Sequence, residues 1–263
     1  MLNGLYSSAT ALNLTLHQQD LIAHNLAHVN VPGFKRTSQT VMTFADSQAL
    51  QDYLQEQQPE TLQNNAAATN GVDYSFNVNG AYLAEYSTDF SQGRIEETGD
   101  NMNAAIDGEG FFVVEGEAGP LYTRNGNFKL NENSELSLPS GQIVEGEGGP
   151  ISVENASHVN IGTDGTLFSE GEEIGKLRIV KFGDVSQLIP AGTTLFAAPP
   201  GVDPEAVVEG EVSLQSGFLE SSNTQAVNEL IRMITGMRHF EAAQKTLTTI
   251  SETIGQHTNL QSA

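Results

Sequence analysis

The chain has 263 residues, 38% of them apolar and 17% charged, with 26 glycines, no tryptophan and a net charge of −22, which is room for one large domain and some additional segments. So acidic a chain lacks the clustered lysine and arginine that release counter-ions from a polyanion, which excludes nucleic acid as a default partner and argues against an anionic membrane surface. Without cysteine there is no disulfide scaffold, thiolate nucleophile or cysteine zinc site.

The first twenty residues, MLNGLYSSATALNLTLHQQD, have neither a basic start nor an unbroken apolar core, so they do not read as a cleavable secretory signal. Leu5, Ala9, Leu12, Leu16, Ala23 and Leu26 recur at spacings of four and three, with polar Gln19 at the one position that interrupts the seam. This predicts a helix from Asn3 to Val29, about 35–40 Å long. It ends at Asn30-Val31-Pro32-Gly33, because the residue before a proline leaves the helical region and Gly33 can take a positive φ. Residues 34–54 hold short apolar patches (Val41-Met42, Phe44) that suit a hairpin or an extended arm, and Glu56 to Asn70 is a polar linker.

From Glu85 to Leu214 short β-like runs alternate with turns: Phe111 to Val114, Leu121 to Thr123, Asn125-Gly126, Ile151 to Val153, Asp164-Gly165 and Leu177 to Val180. Phe111 and Phe112 point to opposite faces of one strand, so one is expected in the core and its neighbour on an adjoining surface. Val227, Leu230, Ile231, Ile234, Met237, Phe240, Ala243, Leu247, Ile250 and Ile254 lie at helical spacing and predict a second helix from Asn223 to His257, with Ser222 and Asn223 as N-caps and Gly236 as a weak point. No window approaches the length of a transmembrane span. Residues 1–80 carry 6 acids and 2 bases, residues 81–220 carry 24 and 6, and residues 221–263 carry 3 and 3. Nearly neutral ends can pack against copies of themselves, while the acidic middle keeps free subunits soluble.

Three stretches resemble the flagellar basal-body rod and hook protein family, the axial proteins. They are NGLYSSATAL with AHNLAHVNVPGFK at the start, DFSQGRIEETGDNMNAAIDGEGFFVVEG through LYTRNGNFKLNENSEL in the middle, and GFLESSNTQAVNELIRMITGMRHFEAAQKTL at the end. The blocks fall in family order, and the length and continuous central domain are most similar to the FlgF- and FlgG-type rod proteins. His24 and His28 stand where the family shows asparagine, and the 56–70 linker is unusually rich in Gln, Asn and Ala. The resemblance implies a structural, non-enzymatic subunit of a helical homo-oligomeric rod. Its terminal helices would form an inner tube with the β-domain outside. Other rod and hook axial proteins, the surrounding ring proteins and the type III export apparatus would be its partners. The chain would lie in the basal body, exported without a cleaved signal.

Other chemistry is weaker. His17, His24 and His28 share a helix side, but no HExxH pattern or third ligand accompanies them. Glu96-Glu97, Asp107 with Glu109, and Glu170 to Glu173 lack the EF-hand spacing of a Ca²⁺ loop, and the Gly146 to Pro150 run lacks the Lys-Ser/Thr ending of a phosphate loop. No Gly-X-Ser-X-Gly elbow is present. A glycan-binding or hydrolytic β-domain, or a phage-type tail protein, are the alternatives.

The sequence therefore predicts an α+β fold in which long N- and C-terminal α-helices pack as a coiled-coil-like pair around a central all-β domain. Residues 1–33 and 221–263 form the terminal assembly domain, 34–84 an arm and linker, and 85–220 the β-domain. No catalytic, cofactor or metal site is expected. The assembly interface is Leu5, Leu12, Leu16, Leu26, Phe34, Val227, Leu230, Ile234, Leu247 and Ile254.

Overall fold

The structure, a computed structural model, describes residues 2–43, 81–117, 119–153, 159–207 and 210–261, with the backbone alone for 2–7, 41–43, 81–85 and 254–261. Phe44 and the predicted linker from Glu56 to Asn70 lie outside the described residues. The chain divides into two compact units, one made of residues 1–24, 37–87 and 227–263 and the other of residues 25–36 and 88–226.

The first unit holds most of helix α1 (Leu2–Ala27), most of helix α2 (Ala226–Gln261) and the strand Thr37–Thr43 paired with Ala81–Thr88. The predicted patch around Val41 thus pairs with a strand some 40 residues on, and not with a neighbour in a hairpin. Along α2 the hydroxyls of Thr235, Thr246, Thr249 and Thr253 donate to carbonyls one turn back, so these helix-neutral residues satisfy themselves without breaking the helix.

The expected coiled-coil-like pairing of the two helices is overturned. Interlocking needs apolar knobs at regular positions on both partners, whereas here Gly236, which offers no knob, lies against the Gln19 side chain. The first half of the predicted stripe of α2 faces solvent, with Val227, Leu230, Ile231, Ile234 and Met237 46–69% exposed, while Phe240, Ala243, Leu247 and Ile250 are partly buried. Among the described side chains of α1 the buried positions are Ile22 and Asn25, while Ala9, Leu16 and Ala23 of the predicted seam are exposed.

The second unit is strand-rich, as its alternating runs and turns require. Its largest sheet is antiparallel, in the order Ile189–Pro190, Leu195–Ala197, Gly119–Thr123, Phe111–Gly116, Ile179–Lys181, Glu205–Ala206. Both faces of its central strand are covered. Phe112 and Val114 enter one cluster with Phe128, Leu136, Leu138 and Val144, and Phe111 and Val113 enter another with Tyr122, Phe182 and Phe196. The sequence places Phe111 and Phe112 on opposite faces, but neither meets a surface, because each face carries its own core. Burying a side chain of this size stabilises by about 1.5–3 kcal/mol.

Two of the predicted turns differ in kind. Gly165 has φ +89 and turns the strand Val159–Ile161 into Thr166–Ser169, and the Asp164 carboxylate accepts from the Thr166 N–H and hydroxyl. Asn125-Gly126 is no hairpin: Gly126 passes so close to the Ala104 carbonyl that a Cβ would collide with it.

The strand Ser213–Ser216 runs antiparallel to Ala104–Asp107, and Phe218–Glu220 continues along Ile95–Glu97 with Glu220 opposite Ile95. This return path carries the end of the β-region back to its entrance.

Candidate functional site

Four backbone segments converge where the chain leaves α1, enters the β-region and leaves it again. The first is the helix exit. After α1 the Val29 N–H donates to the Leu26 carbonyl and the Val31 N–H to that of His28, Gly33 turns with φ +69, and the Phe34 N–H donates to the Val31 carbonyl. Phe34 is 2% exposed, and its ring stacks on His28 with centroids 5.2 Å apart. The stack ties Phe34 to the end of α1, and His28, grouped with His17 and His24 in the sequence, is its partner there.

The next residue, Lys35, is buried. Its side chain and that of Glu220 are both 0% exposed, with Nζ 2.6 Å from Glu220 Oε1, and Nζ also donates to the Ser91 carbonyl at 2.8 Å. The same Oε1 accepts from the Gly93 N–H at 2.8 Å, and Oε2 accepts from Arg124 at 3.4 Å. Arg124 is itself buried, with its guanidinium 5.1 Å from the centroid of the Phe111 ring. Two cations and one carboxylate are thus held out of water. Burial pulls the Lys35 ammonium below its ordinary pKa even with Glu220 beside it, and burial likewise lowers Arg124. Removing one partner of such a cluster costs about 3–5 kcal/mol, because the charges left behind cannot be rehydrated.

Backbone contacts close the same junction. The Gly33 N–H donates to the Glu220 carbonyl at 2.7 Å, and the Ser221 N–H to that of Arg94 at 2.7 Å. A Cβ on Gly33 would collide with the Asn125 backbone, and one on Gly93 with the Ser221 carbonyl oxygen. Asn223, read as an N-cap, serves differently. Its Oδ1 accepts from the Arg36 N–H, and its Nδ2 donates to the Asp89 carbonyl and to Ser91, while α2 begins three residues later at Ala226. The Asp89 N–H donates back to the Arg36 carbonyl. Mutual hydrogen bonding of residues 33–36, 89–94, 124–125 and 220–223 therefore holds the junction together.

Of the predicted assembly residues, Val227, Leu230 and Ile234 are exposed on α2, Leu16 is 40% exposed on α1, and Leu12, Leu26 and Leu247 are partly buried. Only the backbone is described for Leu5 and Ile254. Phe34 alone of the ten sits in the junction. Sequence reasoning missed Lys35, Arg124 and Glu220. The available signal was position: each stands in one of the three resemblance blocks, in GFK, YTRN and GFLE.

Among the described residues no group of three or more His, Asp and Glu could hold a metal ion. An open groove of about 920 Å³ lies beside the hairpin of the large sheet, with Leu121, Ile143, Leu195 and Ala197 along it and Glu115 and Glu117 among its polar residues. It contains no histidine, lysine or arginine, and nothing in it favours the glycan reading.

Residues 105–169 match the flagellar hook protein FlgE/F/G D1 domain, and residues 215–260 match the C-terminal domain of the flagellar basal body rod FlgEFG proteins. Over nearly its whole length the chain is similar to the flagellar basal-body rod protein FlgG of Bacillus subtilis, at 29% identity over 99% of both chains. It is also similar to the rod proteins FlgF of Salmonella typhimurium, at 29% over 98% of both, and FlgF of Caulobacter vibrioides, at 27% over 95% of this chain and 94% of the other.

Proposed function

Because the chain belongs to the flagellar basal-body rod and hook protein family, we propose that it is a rod subunit whose terminal helices join it to further copies, while the β-region stays outside the helical contacts. The family is structural and not enzymatic, and its members build the basal body with other flagellar axial components. In this reading residues 1–33 and 221–263 are the assembly portion, 34–84 an arm and 85–220 the outer domain. The ring proteins around the rod and the export apparatus that secretes it without cleavage are the further partners.

The observation that carries the reading is the stripe of Val227, Leu230, Ile231, Ile234 and Met237, exposed on one long helix. The five are already about half covered, so burying what remains exposed stabilises by about 1 kcal/mol each, which helps to offset the ordering that association requires. The repeat of one contact between identical chains generates an open helix when the rotation does not close. Torque would pass through packed side chains that leave few soft modes.

The test is Leu12→Asp with Ile234→Asp in the full chain. The double variant is expected to remain folded and soluble, with wild-type near-ultraviolet dichroism from its buried aromatics, and to form no rods by electron microscopy. Wild-type polymerisation and motility in this variant would overturn the reading.

A further inference from the structure

The charges of the junction come from distant parts of the chain. Glu220 lies 185 residues beyond Lys35 and 96 beyond Arg124, and it is the acid that contacts them both. Among the described residues, without Glu220 the contacts of the Lys35 ammonium reduce to the neutral Ser91 carbonyl, and Arg124 keeps the face of Phe111. Asp89 and Glu109 act on these cations by charge at longer range, and Lys35 and Arg124 repel each other. Two cations cannot be buried side by side in that condition.

Glu220 stands at the end of the return path, beyond Ser213–Ser216, which pairs with Ala104–Asp107, and as the last residue of Phe218–Glu220, which pairs with Ile95–Glu97. We propose that Glu220 is a late-closing latch: the corner that ends α1 stays open until the strand 218–220 has docked, and it then closes together with the exit toward α2. A chain lacking its last 44 residues could form much of the large sheet, whose strands end at Ala206, yet would have no anion with which to close Gly33, Phe34 and Lys35. The latch does not depend on the rod assignment. Its use does, since it would withhold a closed helix exit from any incompletely delivered chain.

The experiment is pulse-labelled hydrogen exchange during refolding of the full chain. Three junction amides report closure, Gly33, Gly93 and Ser221, which donate to the Glu220 carbonyl, the Glu220 carboxylate and the Arg94 carbonyl. Val113 and Glu115, which donate to Arg178 and Ile143 within the β-region, report the sheet. The sheet amides are expected to become protected first, and the three junction amides later and together. Junction protection that arrives with or before the sheet overturns the proposal, and this measurement needs no variant.

At equilibrium, Glu220→Gln is expected to lower protection of the three junction amides on the order of a hundredfold or more, with Val113 and Glu115 changed less than about threefold. Retained junction protection would refute the latch. Because the effect is one of unpaired charge, adding Lys35→Met to Glu220→Gln should restore at least about tenfold of the lost protection at Gly93 and Ser221. A merely steric role for Glu220 would give no such rescue, and its absence counts against the proposal.

Discussion

At the scale of single residues, the junction depends as much on side chains that are missing as on those present. Gly93 lies with its Cα against the Ser221 carbonyl oxygen, whereas Gly99, with φ +72, has open space where a Cβ would stand. The two glycines therefore separate two physical costs. Gly99→Ala incurs only the left-handed backbone penalty, about 1–2 kcal/mol. Gly93→Ala must push apart the entrance and exit of the β-region, and is expected to cost about 3–5 kcal/mol. Urea unfolding of the two variants measures the difference, and equal losses would mean that the close approach is easily relieved. Lys35, Arg124 and Glu220 make the same point from the side of charge, since each would pass for a solvated surface residue in any local reading.

At the scale of elements, the hairpin of Val159–Ile161 and Thr166–Ser169 is held at its turn by Asp164, whose carboxylate is kept below its ordinary pKa of 3.8 first by the Thr166 hydroxyl and then by the Thr166 N–H. A carboxylate depressed in the folded state contributes stability that is present above its unfolded pKa and is lost as the pH falls through the folded one. Thr166→Val removes the larger of the two hydrogen bonds. It should lower the melting temperature by about 1–3 °C near neutral pH, a small effect because the carboxylate is well hydrated. The gap to the wild type should close as the pH drops below 3.8. A gap that persists at pH about 2 would assign the effect to packing of the threonine and not to the charge. The helices are a contrasting case. Periodicity located both to within a few residues, but it could not reveal that Gln19 meets Gly236 where a coiled-coil-like pair would need interlocking knobs, nor that Ile22 and Asn25 would be buried positions of α1.

At the scale of the whole molecule, the dominant quantity is the charge of −22, with 24 acids and 6 bases between residues 81 and 220 and near neutrality at both ends. If copies associate through apolar helix stripes against the mutual repulsion of acidic middles, added salt should favour assembly. At about 0.3 M the screening length falls well below the roughly 10 Å of 0.1 M solution. Sedimentation is expected to show rods at a lower protein concentration in about 0.3 M than in about 0.02 M sodium chloride. The opposite trend would mean that ion pairs between copies drive association. The sequence by itself determined the features that local pattern and composition control: two helices with apolar stripes, a central region of short strands, no cysteine chemistry, and three blocks resembling the axial proteins of the flagellum. These are properties of neighbouring residues, whose spacing dictates which surface is apolar before any fold exists. Only the tertiary structure decided where that surface goes, that Phe111 and Phe112 each fill a core, and that Lys35, Arg124 and Glu220 meet out of water. Burial and pairing of charge depend on segments up to 185 residues apart, and nothing in the spacing of nearby residues encodes which distant carboxylate will reach a given lysine.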